Sequence, residues 1–197
     1  GTPTPQIFII PDPAINAFAT GRDPQHSSIA VTTGALEQLT NEELEGVLAH
    51  ELSHVKNYDI RVMTLVIVMV GLIGILTDMI FRGFLFGGRR RSDDRDTPGI
   101  FAILGLVAII ISPIVAKLIQ LAVSRKREYL ADASAALTTR FPQGLANALR
   151  KIEAANQPMQ RTSSATSHLF FANPLSGKSL GELFSTHPPI EKRIAAL

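Results

Sequence analysis

The sequence predicts a mainly helical chain with a small β-sheet and two helices that cross a membrane. Three observations lead to this class: two long uncharged apolar stretches, several helical patterns, and two short strand patterns near the N-terminus. The mean hydropathy of the 197 residues is +0.20, whereas soluble domains usually have a negative value. We expect a single domain over residues 1–197, interrupted by a transmembrane hairpin over residues 62–123.

The first strand pattern is residues 3–13, PTPQIFIIPDP, in which a short apolar run lies between prolines. The second is residues 27–36, SSIAVTTGAL, whose β-branched content predicts a strand that ends before Gly34. Residues 16–21, NAFATG, are small and turn-forming, so a turn is expected between the strands.

A well-marked helix follows over residues 39–59, LTNEELEGVLAHELSHVKNYD. Thr40 or Asn41 can cap it, three glutamates near its start complement the helix dipole, and apolar residues recur at 3–4 spacing. Because neither a proline nor another stop signal follows, no break is predicted before the next apolar stretch.

Two stretches have the length and composition of membrane spans, which need about 20 apolar residues. Residues 62–77 carry no charge and continue beyond Asp78, giving a span of about 62–81. Residues 97–116 are also uncharged and form the second predicted span. Two buried core helices are the alternative, but a soluble domain of this size has little room to cover both.

The rest of the chain is predicted as helices joined by loops. Residues 82–96 form a polar loop between the spans, residues 124–137 continue the second span as a helix, and residues 141–156 form another helix. Residues 157–182 are predicted as a long loop, and residues 183–197 as a proline turn and a short helix.

Composition excludes several classes of function. The chain has no cysteine, so it can form neither a disulfide framework nor a thiolate metal site. A net charge of +2, the absence of tryptophan and few other aromatic residues disfavour a nucleic-acid partner.

The helix at residues 39–59 carries the pattern H-E-x-x-H at His50, Glu51 and His54. Residues four apart project from one helix face, so the two imidazoles can share a metal ion, and zinc suits imidazole ligands. Zinc lowers the pKa of a water that it coordinates to about 7, and Glu51 can take the proton and deliver it to a leaving amine. This pattern is the signature of metalloproteases. The alternative is a surface helix that carries these residues by chance.

A catalytic zinc site needs a third protein ligand. The metzincin pattern requires glycine and histidine where this chain has Asn57 and Ile60, so that class is excluded. The remaining candidates are Asp59, Glu128, Asp132, His168 and His187.

Glu128 is preferred among these candidates because it lies in a helical segment, REYLAD, with Asp132 one turn beyond it on the same face. Glu128 can then bind the metal while Asp132 accepts a hydrogen bond from a ligand histidine. The alternative for Glu128 is a surface carboxylate paired with Arg125 or Arg127.

Four separated segments, NAFATG, VLAHELSHVKNYD, SRKREYLADA and LFSTHPPIEKRI, together resemble the HtpX family of membrane-bound zinc metalloproteases, which are related to the CAAX prenyl endopeptidases. The resemblance covers essentially the whole chain. It implies a gluzincin-like domain, mainly α with a small β-sheet, joined to two transmembrane helices. It also implies one Zn²⁺ per chain and endoproteolysis of misfolded or damaged membrane proteins in envelope quality control.

The resemblance implies specific roles for residues of the central site. His50, His54 and Glu128 would bind zinc, Glu51 would be the general base, and Asp132 would orient a ligand histidine.

The resemblance implies further roles at the two ends of the chain. His187 would stabilise the oxyanion, Arg193 of the same tail would assist at the substrate, and Asn16 would lie near the substrate backbone. A turn-stabilising role is the alternative for His187 and for Asn16. Family members also carry two hydrophobic segments before the part matched here, so we expect N-terminal membrane segments to be missing from this chain.

An extended substrate is expected to add to a sheet edge offered by SSIAVTT. The bilayer and unfolded or membrane proteins are the expected partners. Both spans return to one side, but five basic residues in the inter-span loop nearly balance six near the other span ends, so charge does not fix the orientation. The resemblance implies a multi-pass protein of the inner (plasma) membrane with a cytoplasmic site; a hairpin that dips into the bilayer is the alternative.

Three other functions compete with this assignment. An intramembrane protease is disfavoured because the H-E-x-x-H segment is too charged for the bilayer interior. A non-catalytic, zinc-stabilised membrane scaffold would have no need of Glu51 as a base. A soluble zinc protease with buried apolar helices is the third.

Overall fold

A computed structural model describes residues 3–21, 23–86, 98–155, 157–160, 170–171 and 187–197. The chain divides into two compact units, one formed by Gly1–Val62 with Val123–Leu197 and the other by Met63–Ala122. The predicted division into one domain and a hairpin at residues 62–123 remains a prediction.

A three-stranded sheet lies near the N-terminus, with strands β1 (Gln6–Ile10), β2 (Ala17–Gly21) and β3 (Ser27–Thr32) in the order β1-β3-β2. β1 pairs parallel to β3, and β2 pairs antiparallel to it. β3 is therefore the central strand, with both of its edges paired. The prediction that SSIAVTT offers a free sheet edge is wrong, because strand order is set by pairing with segments that its own sequence does not encode.

β2 also corrects the turn that was expected over residues 16–21. Ala17 and Ala19 are buried, and β2 packs against the helix that carries the H-E-x-x-H pattern. Small side chains have low strand propensity, but they allow this close approach, and the pairing with β3 supplies the hydrogen bonds of the strand.

The H-E-x-x-H helix is α2 (Asn41–Lys56), which follows the short helix α1 (Thr33–Gln38). Thr40 caps α2 in a capping box, in which its own N–H donates to Glu43 Oε2 at 2.8 Å and its hydroxyl accepts from the Glu43 N–H at 3.4 Å. The cap fixes the start of the helix and therefore the face on which its histidines lie.

α2 ends before the apolar stretch, so the prediction of an unbroken helix is wrong. Tyr58 has a φ of 56°, in the left-handed region, and this residue separates α2 from α3 (Asp59–Phe86). The break turns the backbone at Asp59, which is the first residue of α3.

The described residues also form helices α4 (Pro98–Thr139), α5 (Pro142–Ala155) and α6 (Ile190–Ala196). α2 and α5 pack closely because each helix presents a glycine to the backbone of the other. A Cβ at Gly46 would lie 2.7 Å from the Leu145 nitrogen, and one at Gly144 would lie 2.5 Å from the Glu42 carbonyl oxygen. This contact anchors α2 in the main hydrophobic core.

The unit of residues 63–122 contains most of α3 and the first part of α4. In the part of the chain that the structure describes, one helix is long and apolar enough to cross a membrane: Asp59–Ile80, 22 residues with a mean hydropathy of 2.4. The second predicted span, residues 97–116, remains a prediction. Of the predicted loops, residues 87–96 and most of 157–182 lie outside the described residues.

Candidate metal centre

Two helices bring the three predicted metal ligands around one point: His50 and His54 from α2 and Glu128 from α4. The two Nε2 atoms are 3.0 Å apart, Glu128 Oε2 is 3.7 Å from His50 Nε2, and Glu128 Oε1 is 3.5 Å from His54 Nε2. Ligands around a tetrahedral zinc ion with bonds of about 2.0–2.2 Å are separated by about 3.3 Å. The two imidazole nitrogens and the Glu128 carboxylate therefore fit a single metal ion.

Both imidazoles present the same nitrogen to this point. His50 Nδ1 lies 2.9 Å from Asp132 Oδ1, and His54 Nδ1 lies 2.6 Å from Asp59 Oδ2. A carboxylate at Nδ1 holds the proton there, so the Nε2 lone pair is directed to the centre. This is the tautomer that a metal requires of each ring.

The charges of the buried site also suit a cation. Burial lowers the pKa of His50 to about 4, although Asp132 opposes this shift, so the imidazole is neutral. Burial alone would raise the pKa of the Glu128 carboxyl, but His187, Arg193 and His54 together hold it well below its ordinary value. The centre therefore offers a neutral imidazole at His50 and an ionised carboxylate at Glu128.

Asp132 lies where it was predicted, at His50, and Arg193 from α6 holds it in place. Arg193 Nη2 and Nε donate to the two oxygens of Asp132 at 2.6 and 2.9 Å, and Nη1 lies 3.4 Å from Glu128 Oε2. The guanidinium carbon lies 4.8 Å from the centre of the Phe171 ring. Burial raises the pKa of Asp132, whereas its hydrogen bonds with His50 and Arg193 lower it. The pKa of Asp132 is therefore lowered overall.

Arg193 was predicted to act at the substrate, and this role remains a prediction. Its side chain is buried and makes its contacts with His50, Glu128, Asp132 and the Phe171 carbonyl. These contacts show that Arg193 positions the carboxylates of the centre.

The sequence did not reveal the role of Asp59, which was considered only as a third ligand. Asp59 instead bonds to His54 through Oδ2, while its Oδ1 pairs with Arg127. Arg127 also donates to the Asn57 carbonyl at 2.8 Å. The sequence signal for this role is a carboxylate five residues after His54. That carboxylate reaches the His54 ring because the helix breaks at Tyr58.

Glu51 is buried beside the centre, and one of its oxygens is fixed by β2: Oε2 accepts the Ala19 N–H at 2.8 Å. Burial raises the pKa of Glu51 to about 7, with Glu128 adding to the shift and His54 and the Ala19 N–H opposing it. A carboxyl group with a pKa near neutrality can both accept and return a proton at neutral pH.

The last two predicted site residues, His187 and Asn16, make different contacts. His187 Nδ1 lies 3.1 Å from Glu128 Oε2, so this ring reaches the ligand carboxylate. Asn16 is buried just before β2, where its N–H donates to Thr32 Oγ1 at 3.0 Å and its Nδ2 lies 3.6 Å from Met159 Sδ. Their predicted roles remain predictions, and His168 lies outside the described residues.

Comparison with known proteins identifies relatives along the whole chain. Residues 1–197 match the family described as Peptidase family M48. Proteins named Protease HtpX homolog from Dictyoglomus turgidum and Lactobacillus acidophilus are each 53% identical, over 100% and 99% of this chain and 64% and 67% of their own lengths. This chain thus spans about two thirds of these curated relatives.

A solved structure shares the fold. The crystal structure of S. mikatae Ste24p matches with a TM-score of 0.60 at 22% sequence identity, over 98% of this chain and 46% of that one. The sequence match, the shared fold and the cluster of two histidines and a glutamate agree with one another. The chain belongs to peptidase family M48.

Proposed function

We propose that this chain is the catalytic part of a membrane-associated, zinc-dependent endoprotease that degrades misfolded or damaged membrane proteins. The observation that carries the proposal is the convergence of His50, His54 and Glu128 on one point, with Glu51 buried beside them. Family membership and the HtpX names of the relatives support the same activity.

The donor set favours a catalytic zinc ion. Two imidazoles and one carboxylate form a set typical of zinc peptidases, in which the fourth position is left for the reaction. Zinc held by these residues would polarise the substrate carbonyl and acidify water to a pKa of about 7.

Glu51 moves the proton in this proposal. The Ala19 N–H fixes Oε2 of Glu51, so we assign Oε1 as the oxygen that accepts the proton of the attacking water and returns it to the leaving amine. His187 donates to the oxyanion that forms on the substrate carbonyl, from a position already in contact with Glu128.

The substrate binds in extended form along the outer edge of β2, rather than on β3 as first expected. The Ala19 N–H points away from β3, toward Glu51, so the Ala19 carbonyl faces the same edge. At the other end of the strand, the Phe171 N–H donates to the Ala17 carbonyl at 2.8 Å, so the substrate pairs beyond that point. Asn16 assists substrate binding from its position just before β2, and Arg193 assists through the carboxylates of Asp132 and Glu128 that it holds.

The apolar helix Asp59–Ile80 supports a membrane location. We propose a multi-pass protein of the inner membrane, with the catalytic site on the cytoplasmic side and with the bilayer and unfolded or membrane proteins as partners.

Replacement of the general base tests the proposal. In the full chain purified in detergent, Glu51→Gln should retain one zinc ion per chain but lose casein cleavage by about 10²–10⁴-fold. Glu45→Gln, an exposed position on the same helix, is the matched control and should cleave normally. Unchanged cleavage by the Glu51→Gln variant, or cleavage by the parent that resists a chelator, would refute the mechanism.

A further inference from the structure

We infer that Asp59 and Arg127 form a positioning pair that sets the orientation of His54. The inference rests on the proposed function, in which His54 binds zinc. Asp59 Oδ2 lies 2.6 Å from His54 Nδ1, and Arg127 pairs with the other oxygen of the same carboxylate. An imidazole, a carboxylate and a guanidinium therefore act in series.

The local backbone builds this pair. α2 ends at Lys56, and the left-handed residue Tyr58 interrupts the helical path before α3, so that the side chain of Asp59 reaches His54. Arg127 donates to the Asn57 carbonyl at 2.8 Å and also pairs with the Asp59 carboxylate. A single guanidinium thus contacts the residues on both sides of Tyr58.

The position of Arg127 in the sequence also relates these contacts to the third metal ligand. Arg127 immediately precedes Glu128 on α4, so the residue that holds the junction lies beside the third ligand. The pair therefore connects the helix that supplies the two histidines to the helix that supplies the glutamate. Partners of this kind fix ring orientation at metal sites, and their loss typically costs 10–100-fold in metal affinity.

His54 is the histidine that most needs such support. Its side chain is 17% exposed, whereas that of His50 is 1% exposed and is held by its surroundings. Asp59 is also the first residue of α3, the helix with the length and composition of a membrane span. The orientation of His54 is thereby tied to the point at which that helix begins.

Metal binding tests the pair without requiring cleavage. The full chain in detergent micelles is compared with the Asp59→Asn, Arg127→Gln and doubly substituted variants, and with Lys126→Gln, which removes an exposed positive charge one residue away. The measurements are the zinc dissociation constant by chelator competition, the absorption spectrum of the cobalt-loaded protein, and the melting temperature.

We expect Asp59→Asn to weaken zinc binding by about 10–100-fold and to change the cobalt spectrum, and Arg127→Gln to weaken it by about tenfold. Because the two residues act in series, the double variant should bind no worse than Asp59→Asn alone. Lys126→Gln should match the parent, and the melting temperatures should stay within about 5 °C of it.

If Asp59→Asn kept the zinc affinity and the cobalt spectrum of the parent, the inference would be overturned. If the losses of zinc affinity in the two single variants multiplied in the double variant, Arg127 would not act through Asp59. A parent that cleaves casein while all variants bind zinc equally well contradicts this inference alone. A parent that binds zinc and cleaves nothing, with weakened binding in Asp59→Asn, contradicts the proposed function and supports this inference.

Discussion

Each of the two histidines of the centre is held by a series of side chains, a carboxylate and then an arginine. The two series have the same chemistry, but their arginines differ in burial. In each, an imidazole Nδ1 faces a carboxylate that an arginine pairs with. We call them the Arg193 arm and the Arg127 arm, formed by His50–Asp132–Arg193 and His54–Asp59–Arg127. The arginine side chain is 2% exposed in the first and 22% exposed in the second. The same contacts should therefore stabilise the fold in one arm and mainly orient a ligand in the other.

The difference follows from where each arginine comes from in the chain. Arg193 lies on α6, 61 residues after Asp132, and fills the interior beside Phe171. A charge buried in this way must stay paired, because an unpaired partner in the interior costs several kcal/mol. Arg127 is partly exposed, although Asp59 is buried, so the guanidinium keeps part of its hydration and the pair is weaker than one in which both partners are buried.

The largest expected effect is the loss of the Arg193 arm. Arg193→Met leaves Asp132 buried without its cation, so the free energy of unfolding of the metal-free protein should fall by about 3–5 kcal/mol. Arg127→Met should cost roughly 1 kcal/mol, because its pair is partly solvated. Chemical denaturation in detergent measures both values.

Arg150→Met is the control for this comparison, since Arg150 is exposed and bonds only the Asn147 side chain among the contacts described. It should leave stability within about 0.5 kcal/mol of the parent. Equal losses for the Arg193 and Arg127 variants would show that burial does not distinguish the arms.

Ionic strength should separate the arms by a smaller amount. Raising salt from about 0.05 to 0.5 M shortens the Debye length to a few ångströms and screens the partly exposed pair. The destabilisation caused by Arg127→Met should then shrink by about half, while that caused by Arg193→Met stays the same. Melting temperatures at the two salt concentrations check this, and a salt-sensitive penalty for Arg193→Met would contradict it.

The smallest expected effect on zinc affinity concerns the aromatic ring of the Arg193 arm. Phe171 packs edge-on to His50 at 4.9 Å and faces the Arg193 guanidinium, so Phe171→Leu should weaken zinc binding several-fold and cost about 1 kcal/mol in stability. Phe170→Leu is the matched control, because that ring packs on Phe18 instead and should cost similar stability with unchanged zinc affinity. Chelator competition distinguishes the two, and equal affinities would remove Phe171 from the arm.

The sequence predicted the local parts of this centre. The spacing of His50 and His54 is a property of one helix, and the cap at Thr40 fixed the start of that helix correctly. Glu128 and Asp132 were found for the same reason, because helical periodicity places both on one face. The mainly helical fold with a small sheet followed from the same periodic patterns.

What the sequence did not predict depends on distant pairing or on a single backbone residue. β3 has the composition of any strand, and only its pairing with β1 and β2 makes it central. Asp59 reaches His54 because Tyr58 adopts a left-handed conformation, which a pattern of side chains does not encode. The pairing of Arg193 with Asp132 is a tertiary contact between residues 61 apart, and no repeating sequence pattern predicts it.

The most direct test of the central claim is zinc K-edge absorption spectroscopy of the purified full chain, parent and Glu128→Gln. We expect one ion with two imidazole nitrogens and oxygen donors at about 2.0–2.1 Å in the parent. In the variant, an oxygen contribution should be weakened or lost, and the zinc affinity should fall. A parent spectrum without two imidazoles, or an unchanged spectrum and affinity in Glu128→Gln, would contradict it.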